Sequence, residues 1–218
     1  ANYTVDAACA SSLAAIDLGV KEIEGGKSEM VIVAGVDIGQ TPFAFTAFSK
    51  TQALSPTGTS HPFDATANGI VMSEGIAVVL LKKLENAERD GDRIYCVIKG
   101  SASSSDGKGL GITAPRSGGQ TIAFERAYQQ AGFSPSTLGL YEAHATGTKV
   151  GDKVELTSIT NVLKNANAQP ESCAIGSAKR LLGHTKTCAG IVGLIKGASA
   201  LYHQTLPPHT IPNAPLAL

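Results

Sequence analysis

Three side chains of this chain combine reactive chemistry with a local sequence that can position them. Cys9 follows a short apolar approach and precedes a helix-like segment, residues 10–24. A helix N-terminus stabilises an anion through its unpaired N–H groups and its dipole, so the pKa of the Cys9 thiol should fall. His144 and His184 each lie in a loop that contains glycine. Because two converging neutral imidazoles can stabilise an oxyanion or enolate, the set predicts a nucleophile with two hydrogen-bond donors.

Each of these residues also has a structural interpretation. Free cysteine is among the most buried residue types, so a core position for Cys9 stays open. A single histidine is commonly structural or a surface residue. His61, His203 and His209 lie in turns or at a helix end, and we assign them no role. Small residues at 7, 8 and 10–12 leave room for a substrate to reach the sulfur, which favours the nucleophile.

The elements that must position these side chains alternate between strands and helices. Apolar or β-branched runs predict strands at residues 30–36, 76–81, 94–98, 138–143 and 172–175. Helical spacing predicts helices at residues 10–24, 120–130, 152–165 and 188–203, with one helical turn at 84–89. The alternation predicts an α/β fold with a largely parallel sheet whose first strands are covered on both faces. His144 then follows a strand, at the sheet edge where catalytic groups gather.

Composition excludes several classes of function. The 18 basic and 18 acidic residues give a net charge of zero, so nothing indicates a nucleic-acid or membrane-surface partner. No apolar run approaches the length of a membrane span, and no signal peptide is visible. The four cysteines lack metal-ligand spacing, so we predict no metal site and no disulfide framework. Free thiols fit a reducing cytoplasm, and the missing initiator Met suggests a piece of a larger protein.

Three separated motifs carry a resemblance to a known family. Residues 6–13 (DAACASSL), residues 142–148 (EAHATGT), and Lys179 with residues 183–185 (GHT) resemble the signatures of β-ketoacyl synthases in order and separation. Shorter blocks also resemble the family, and the match runs essentially from end to end. These blocks are residues 62–64, 73–75, 151–152 and Glu155. Residues 48–56 and 87–95 are similar to iterative multidomain synthases, which make polyunsaturated fatty acids, enediyne-type polyenes or related long lipid chains.

The resemblance implies a fold and a mechanism. The fold is thiolase-like, with two related halves stacked as alternating layers of helix and sheet, α-β-α-β-α. Cys9 would accept the growing acyl chain as a thioester, and His144 and His184 would hold the carbonyl of a malonyl thioester during decarboxylation and condensation. The resemblance also assigns supporting residues. Thr146 and Thr148 would contact the pantetheine arm, and Lys179 with Glu155 would support the histidine site electrostatically.

The resemblance further implies partners. Acyl and malonyl substrates would arrive on the phosphopantetheine of an acyl carrier protein, with no bound cofactor, and the intact domain would be a homodimer. Residues 1–218 would form a partial ketosynthase domain, comprising the end of its N-terminal half and most of its C-terminal half. The opening strands and helices and a C-terminal glycine-rich loop of the family are not among the residues of this chain.

Four residues depart from the family pattern. Ala145 stands where the family usually has glycine, so either the backbone there is ordinary or the His144 loop is strained. Ser73 replaces a usual glycine before Glu74. Arg180 and Leu181 replace polar residues common after the lysine, which affects hydrogen bonding near His184.

Two other functions remain open at this point. A non-catalytic acyl-binding or chain-length partner shares the fold, but such partners usually lack the nucleophile. A Cys–His hydrolase would need a third group that orients one histidine, and would need an activated water. No obvious Asp or Asn orienter accompanies the two histidine motifs, and a condensing enzyme should exclude water.

Overall fold

The computed structural model describes residues 2–109, 111, 114–209, 212 and 214–217. It mixes helices and strands, which confirms the α/β class. In chain order these are α1 (Ser11–Glu24), β1 (Met30–Asp37), α2 (Pro42–Lys50), β2 (Gly75–Lys82), α3 (Leu84–Asp90), α4 (Ser117–Ala131), β3 (Leu140–Glu142), α5 (Lys149–Asn165), β4 (Ala174–Gly176), α6 (Lys179–Leu182) and α7 (Ala189–His203). Short 3₁₀ turns lie at Ala8–Ala10, Pro135–Thr137 and Lys186–Cys188. Within these residues, no helix combines the length and apolar character that crossing a membrane requires.

The chain divides into two compact units, each assembled from separate segments. The first contains Ala1–Thr41, Met72–Val97 and His184–Pro207. The second contains Pro42–Val71, Ile98–Gly183 and Pro208–Leu218. The first unit therefore holds α1, β1, β2, α3 and α7, and the second holds the remaining helices and strands.

An antiparallel pair of strands forms the centre of the first unit. β1 pairs with β2 from Met30 opposite Lys82 to Asp37 opposite Gly75. Helix α1 buries one stripe, whose spacing of three and four residues follows the turn of a helix. The stripe consists of Ser12, Ile16, Gly19 and Ile23. The helix ends as the sequence predicts, because Gly26 adopts a left-handed φ of 68° that favours glycine.

Gly35 on β1 is where the strand meets the starts of two helices. A Cβ added to Gly35 would lie 2.8 Å from Ile191 Cγ2, 3.0 Å from Ser12 Cβ and 3.2 Å from Cys188 Cα. Ser12 Oγ also accepts a hydrogen bond from the Ile191 N–H at 3.1 Å. The missing side chain of Gly35 therefore lets the N-terminal turns of α1 and α7 pack directly against the strand.

The second unit is built around a short parallel pair. β3 and β4 run parallel, with Leu140 opposite Ala174 and Glu142 opposite Gly176. Helix α4 packs against α5. Phe63, Ala143 and Ala145 form a buried apolar cluster in this unit. Partly buried side chains pack around the cluster, namely Tyr141, Leu156 and Ile175.

The structure corrects several predictions about the strands and one about the connection between them. β1 and β2 are antiparallel rather than parallel, and their burial alternates, so one apolar face of the pair is exposed instead of covered. Residues 94–98 alternate in burial as a strand would, yet no strand is assigned there. Residues 37–75 are rich in Gly, Pro, Ser and Thr, which predicts a long irregular connection, but the structure places α2 within it. A local apolar run shows that a segment can be extended, but it does not identify the partner that supplies backbone hydrogen bonds or its direction.

Two other predicted segments reach residues outside those described. The segment before Cys9, whose apolar character suggests that the chain starts almost inside a strand, includes position 1, and its described residues, 2–7, form no strand. The Ser- and Gly-rich stretch at residues 101–119, whose composition predicts a loop, includes positions 110, 112 and 113, which are also outside the described residues.

Candidate active site

Cys9 lies in a tight turn immediately before α1. The turn is fixed by two side chains: Asp6 accepts a hydrogen bond from the Ala8 N–H at 2.9 Å, and Ser11 Oγ accepts one from the Ala7 N–H at 2.9 Å. Ala8 adopts a left-handed φ of 50°, which an L residue holds only when its surroundings determine it. Cys9 is partly exposed, so a reactant can reach it, and it lies at a helix N-terminus, which favours a thiolate.

His184 belongs to the same unit and lies close to the cysteine. A ring nitrogen of His184 is within 4.8 Å of Cys9 Sγ. The His184 side chain is buried, and its Nδ1 accepts a hydrogen bond from the Lys186 N–H at 2.9 Å. A neutral imidazole whose Nδ1 accepts a hydrogen bond carries its proton on Nε2. His184 is therefore held as the tautomer that donates a hydrogen bond from Nε2.

In the second unit, Glu155 organises the loop that carries His144. One carboxylate oxygen accepts the His144 N–H at 2.7 Å and the Tyr141 hydroxyl at 2.7 Å. The other oxygen accepts the Ala145 N–H at 2.7 Å. Burial and the nearby charge of Glu155 raise the pKa of Tyr141, so its hydroxyl stays a donor. Glu155 thus acts on the histidine through the backbone of its loop.

His144 and Lys179 are coupled electrostatically. Lys179 is buried at the start of α6. Although His144 is exposed, the surrounding protein atoms desolvate its ring, and together with the charge of Lys179 they lower the pKa of His144 to about 4. His144 is therefore neutral near pH 7, the form in which an imidazole can donate one hydrogen bond without carrying a charge.

The backbone at Ala145 decides whether the His144 loop is strained, which the sequence left open. Its φ is 34°, in the left-handed region where a Cβ costs free energy. Its methyl group is also part of the buried cluster with Phe63 and Ala143. The loop is thus strained, and the strain is offset by burial of the methyl group and by the hydrogen bond to Glu155.

We expect Ala145→Gly to change the free energy of unfolding by less than about 1 kcal/mol, because relief of the left-handed strain offsets the loss of a buried methyl group and the greater entropy of the unfolded chain. Ala143→Gly is the matched control in the same cluster. Ala143 has no positive φ, so its replacement should destabilise by about 1.5 kcal/mol. Urea unfolding of both variants measures the difference, and equal losses would contradict the strain at Ala145.

Thr146 and Thr148 lie side by side at the entry to α5. Their hydroxyl oxygens are 2.9 Å apart, and both residues are partly buried. Gly147 between them has a left-handed φ of 75° and donates to Asp152 Oδ1 at 3.2 Å. The two hydroxyls therefore face the same region and can contact one extended polar ligand.

Asp152 is a residue of this site to which the sequence analysis gave no role. It is fully buried, and its carboxylate accepts backbone N–H groups from Phe63 at 2.9 Å and Gly147 at 3.2 Å. It therefore ties the loop around Phe63 to the loop that carries His144. Burial, and secondarily the charge of Glu155, raises the pKa of Asp152 to about 6 despite these hydrogen bonds. The family-like block at residues 151–152 could have pointed to Asp152, but no local sequence feature indicates which backbone amides its carboxylate binds.

Asp152 should make stability depend on pH in a defined direction. Its folded pKa of about 6 exceeds the ordinary value of 3.8, so the folded state binds more protons between these values. The free energy of unfolding should therefore fall as pH rises through this window, by on the order of 3 kcal/mol. Asp152→Asn removes this pH dependence, because an amide does not titrate in this range. It also has a single acceptor oxygen, so one of the two backbone N–H groups loses its hydrogen-bond acceptor at all pH values. Urea unfolding from pH 3.5 to 7 (roughly the linkage window) checks this, and identical pH slopes would contradict it.

The structure also places the other three residues that depart from the family pattern. The Arg180 guanidinium donates to the Ser60 carbonyl, which joins α6 to the loop before Phe63. Leu181 is exposed. Ser73 supports the His184 loop through its backbone, because its N–H donates to the His184 carbonyl at 3.0 Å.

The predicted site residues are thus distributed over both units. Cys9 and His184 belong to the first, where they lie close together. The other predicted site residues belong to the second unit, where Glu155 holds the His144 loop and the charge of Lys179 lowers the pKa of the His144 imidazole. These others are His144, Thr146, Thr148, Glu155 and Lys179.

Comparison with known proteins gives consistent matches. A family model described as the N-terminal domain of beta-ketoacyl synthase matches residues 1–87, and one described as the C-terminal domain matches residues 95–211. The chain is 43% identical over 208 residues to a phenolphthiocerol/phthiocerol polyketide synthase of Mycobacterium tuberculosis. It is 42% identical over 208 residues to a polyunsaturated fatty acid synthase of a Thraustochytrium species.

A solved structure extends this similarity to three dimensions. The ketosynthase from module 6 of the bacillaene synthase of Bacillus subtilis matches with a TM-score of 0.95 and 37% identity, over 97% of this chain and 38% of that one. The two curated relatives are matched over 95% and 94% of this chain, which spans 11% and 7% of their lengths. The thiolase-like fold is thereby confirmed.

Proposed function

The chain belongs to the β-ketoacyl synthase family, and from this premise we propose that it takes part in a decarboxylative Claisen condensation between an acyl-Cys9 thioester and a malonyl group on an acyl carrier protein. The observation that carries the proposal is the position of Cys9 at the start of α1 with a ring nitrogen of His184 within 4.8 Å of its sulfur.

The first half-reaction is acyl transfer to Cys9. The thiolate attacks the carbonyl of an acyl thioester on the carrier, a bond forms between Cys9 Sγ and the acyl carbon, and the carrier leaves as its thiol. The helix N-terminus stabilises the thiolate before attack. No other cysteine in the described part of the chain adjoins a helix N-terminus and is also accessible: Cys188 precedes α7, but it is buried.

The second half-reaction uses the histidines. The bond between the malonyl carboxylate and its α-carbon breaks, carbon dioxide leaves, and the electron pair becomes an enolate thioester. The His184 Nε2–H and the neutral His144 ring donate hydrogen bonds to the enolate oxygen. The enolate carbon then attacks the acyl-Cys9 carbonyl, which forms the new carbon–carbon bond and releases the Cys9 thiolate.

We also propose the surrounding roles on the basis of the motifs. Thr146 and Thr148 contact the phosphopantetheine arm of the carrier, and Lys179 with Glu155 keeps the His144 loop and its charge state in place. No bound cofactor is needed, because the carrier delivers both substrates. The protein acts in the cytoplasm, where its free thiols stay reduced, and as a homodimer.

Family membership argues against a hydrolase, and the nucleophile Cys9 argues against a non-catalytic partner of the same fold. A hydrolase needs an activated water at the acyl-Cys9 thioester, whereas condensation needs that thioester to survive until malonyl arrives. A non-catalytic partner needs no nucleophile, and Cys9 is present at the start of α1.

The deciding experiment follows a labelled acyl group in the natural full-length protein. We expect a stable acyl-Cys9 adduct that turns over only when malonyl-carrier is added, with release of carbon dioxide and formation of a β-ketoacyl-carrier. Mass spectrometry of the Cys9 peptide and of the carrier detects both products. Rapid loss of the acyl group without malonyl would support a hydrolase, and failure to form the adduct would support a non-catalytic protein.

A further inference from the structure

Lys186, two residues after His184, makes an ion pair that neither the motifs nor the mechanism accounts for. Its ammonium lies 2.9 Å from Asp37 Oδ1 and donates to the Ser73 carbonyl at 3.1 Å. The lysine and aspartate side chains are only 13% and 14% exposed, so the pair is largely removed from water. One side chain therefore links the end of β1, the segment before β2 and the loop that carries His184.

The Asp37 carboxylate is well suited to anchor this lysine. It also accepts hydrogen bonds from the Gly39 N–H at 3.1 Å and the Thr187 hydroxyl at 3.2 Å. Burial by itself raises the pKa of Asp37, whereas the hydrogen bonds and the charge of Lys186 lower it, and the resulting pKa lies below its usual value. Asp37 is thus ionised at neutral pH and attracts the ammonium.

The backbone of Lys186 connects this ion pair to the imidazole. Lys186 has a left-handed φ of 50°, a strained conformation for a lysine that persists only where neighbouring contacts enforce it. In this conformation its N–H donates to His184 Nδ1 at 2.9 Å. The Lys186 side chain contacts Asp37 at the end of β1 and Ser73 before β2, and these contacts can enforce the left-handed conformation of its backbone.

We propose that the Lys186–Asp37 ion pair is a positioning device for His184, which holds the strained backbone of residue 186 so that its N–H fixes His184 as the Nε2–H donor. The proposal rests on the function proposed above for His184. Lys186 is not itself a catalytic residue, because its ammonium faces Asp37 and Ser73.

The first test replaces the lysine in the natural full-length protein. We expect Lys186→Met to lower kcat for carbon dioxide release from malonyl-carrier by about 10-fold to 100-fold, with KM little changed and Cys9 still acylated. Lys186→Arg, which can still pair with Asp37, should restore part of the rate. Lys21→Met is the matched control, because it removes a lysine from the ion pair with Asp17 on α1, where Lys21 is exposed. Its rate should equal that of the wild type.

A double variant separates positioning from stability. Each single variant, Lys186→Met or Asp37→Asn, leaves one buried charge without its partner and should lower Tm. Combining them removes both charges, so Tm should recover in large part, while the decarboxylation rate should stay low because residue 186 is no longer anchored. If the rate returns together with Tm, the pair is merely structural and the proposal is overturned.

Crystal structures of the wild type and Lys186→Met make the proposal testable apart from the function. In the variant we expect the imidazole to rotate or the contact between His184 Nδ1 and the backbone N–H of residue 186 to lengthen beyond hydrogen-bond distance. An unmoved ring with an intact contact would overturn the positioning role. If the wild type releases no carbon dioxide, the proposed function fails, and the ring orientation still decides the role of the ion pair.

Discussion

Replacing Cys9 by alanine is expected to abolish acyl loading and condensation while carbon dioxide is still released from malonyl-carrier. Acyl transfer needs a nucleophile, and Cys9 is the cysteine that adjoins the start of α1 and is partly exposed. Loss of carbon dioxide needs only stabilisation of the enolate oxygen, which the histidines supply. Mass detection of acylated protein, run beside release of labelled carbon dioxide, measures the two activities separately.

Cys96→Ala is the control for this variant. Cys96 is also a partly buried free thiol of the first unit, but it lies outside the helix starts, and burial raises the pKa of its thiol. This control should keep both activities. If Cys9→Ala remains folded and loses decarboxylation as well, the histidines do not form an enolate site that works independently of the cysteine.

Replacing His184 by alanine is expected to have the opposite effect. Decarboxylation should fall by about 10²-fold to 10³-fold, the usual cost of one oxyanion donor, while Cys9 still forms an acyl adduct, more slowly if at all. His144→Ala should behave in the same way, because its neutral ring is the second donor. Release of labelled carbon dioxide from malonyl-carrier gives the rate, and thermal unfolding verifies that each variant is folded.

His203→Ala provides the comparison for the histidine variants. His203 is exposed at the end of α7 and has no role in the mechanism, so its replacement should leave both activities unchanged. Full decarboxylation by His184→Ala would show that its proposed role is wrong. A loss confined to acyl loading would instead indicate that His184 serves the cysteine.

Much of the fold could be predicted because its signals are local. The helix after Cys9 ends at a glycine pair, and α4 ends at Gly132, whose left-handed φ of 75° only glycine adopts readily. The direction of β2 against β1 could not be predicted, because a strand pattern carries no information about its partner. Residues 94–98 show the same limitation, because they alternate in burial as a strand does but do not pair with another strand among the described residues.

The candidate site shows a similar division. Cys9, His144 and His184 are recognisable because each lies in a short motif. Asp152 and Lys186 act through partners that are distant in the sequence, at Phe63 and Asp37, and no local spacing indicates such pairs. The strain at Ala145 was foreseen only as one of two possibilities, because φ is set by the loop as a whole.

The contact at Gly35 has a consequence for the evolution of this chain. Any side chain there would collide with Ser12, Ile191 and Cys188, and relief of the collision would shift the first turn of α1, which begins directly after the Cys9 turn. Selection on the nucleophile should therefore extend to a strand residue that takes no part in the chemistry. In a saturation-mutagenesis screen for condensation, position 35 should tolerate no replacement, even alanine, whereas its strand neighbour Ala34, which faces solvent, should accept many.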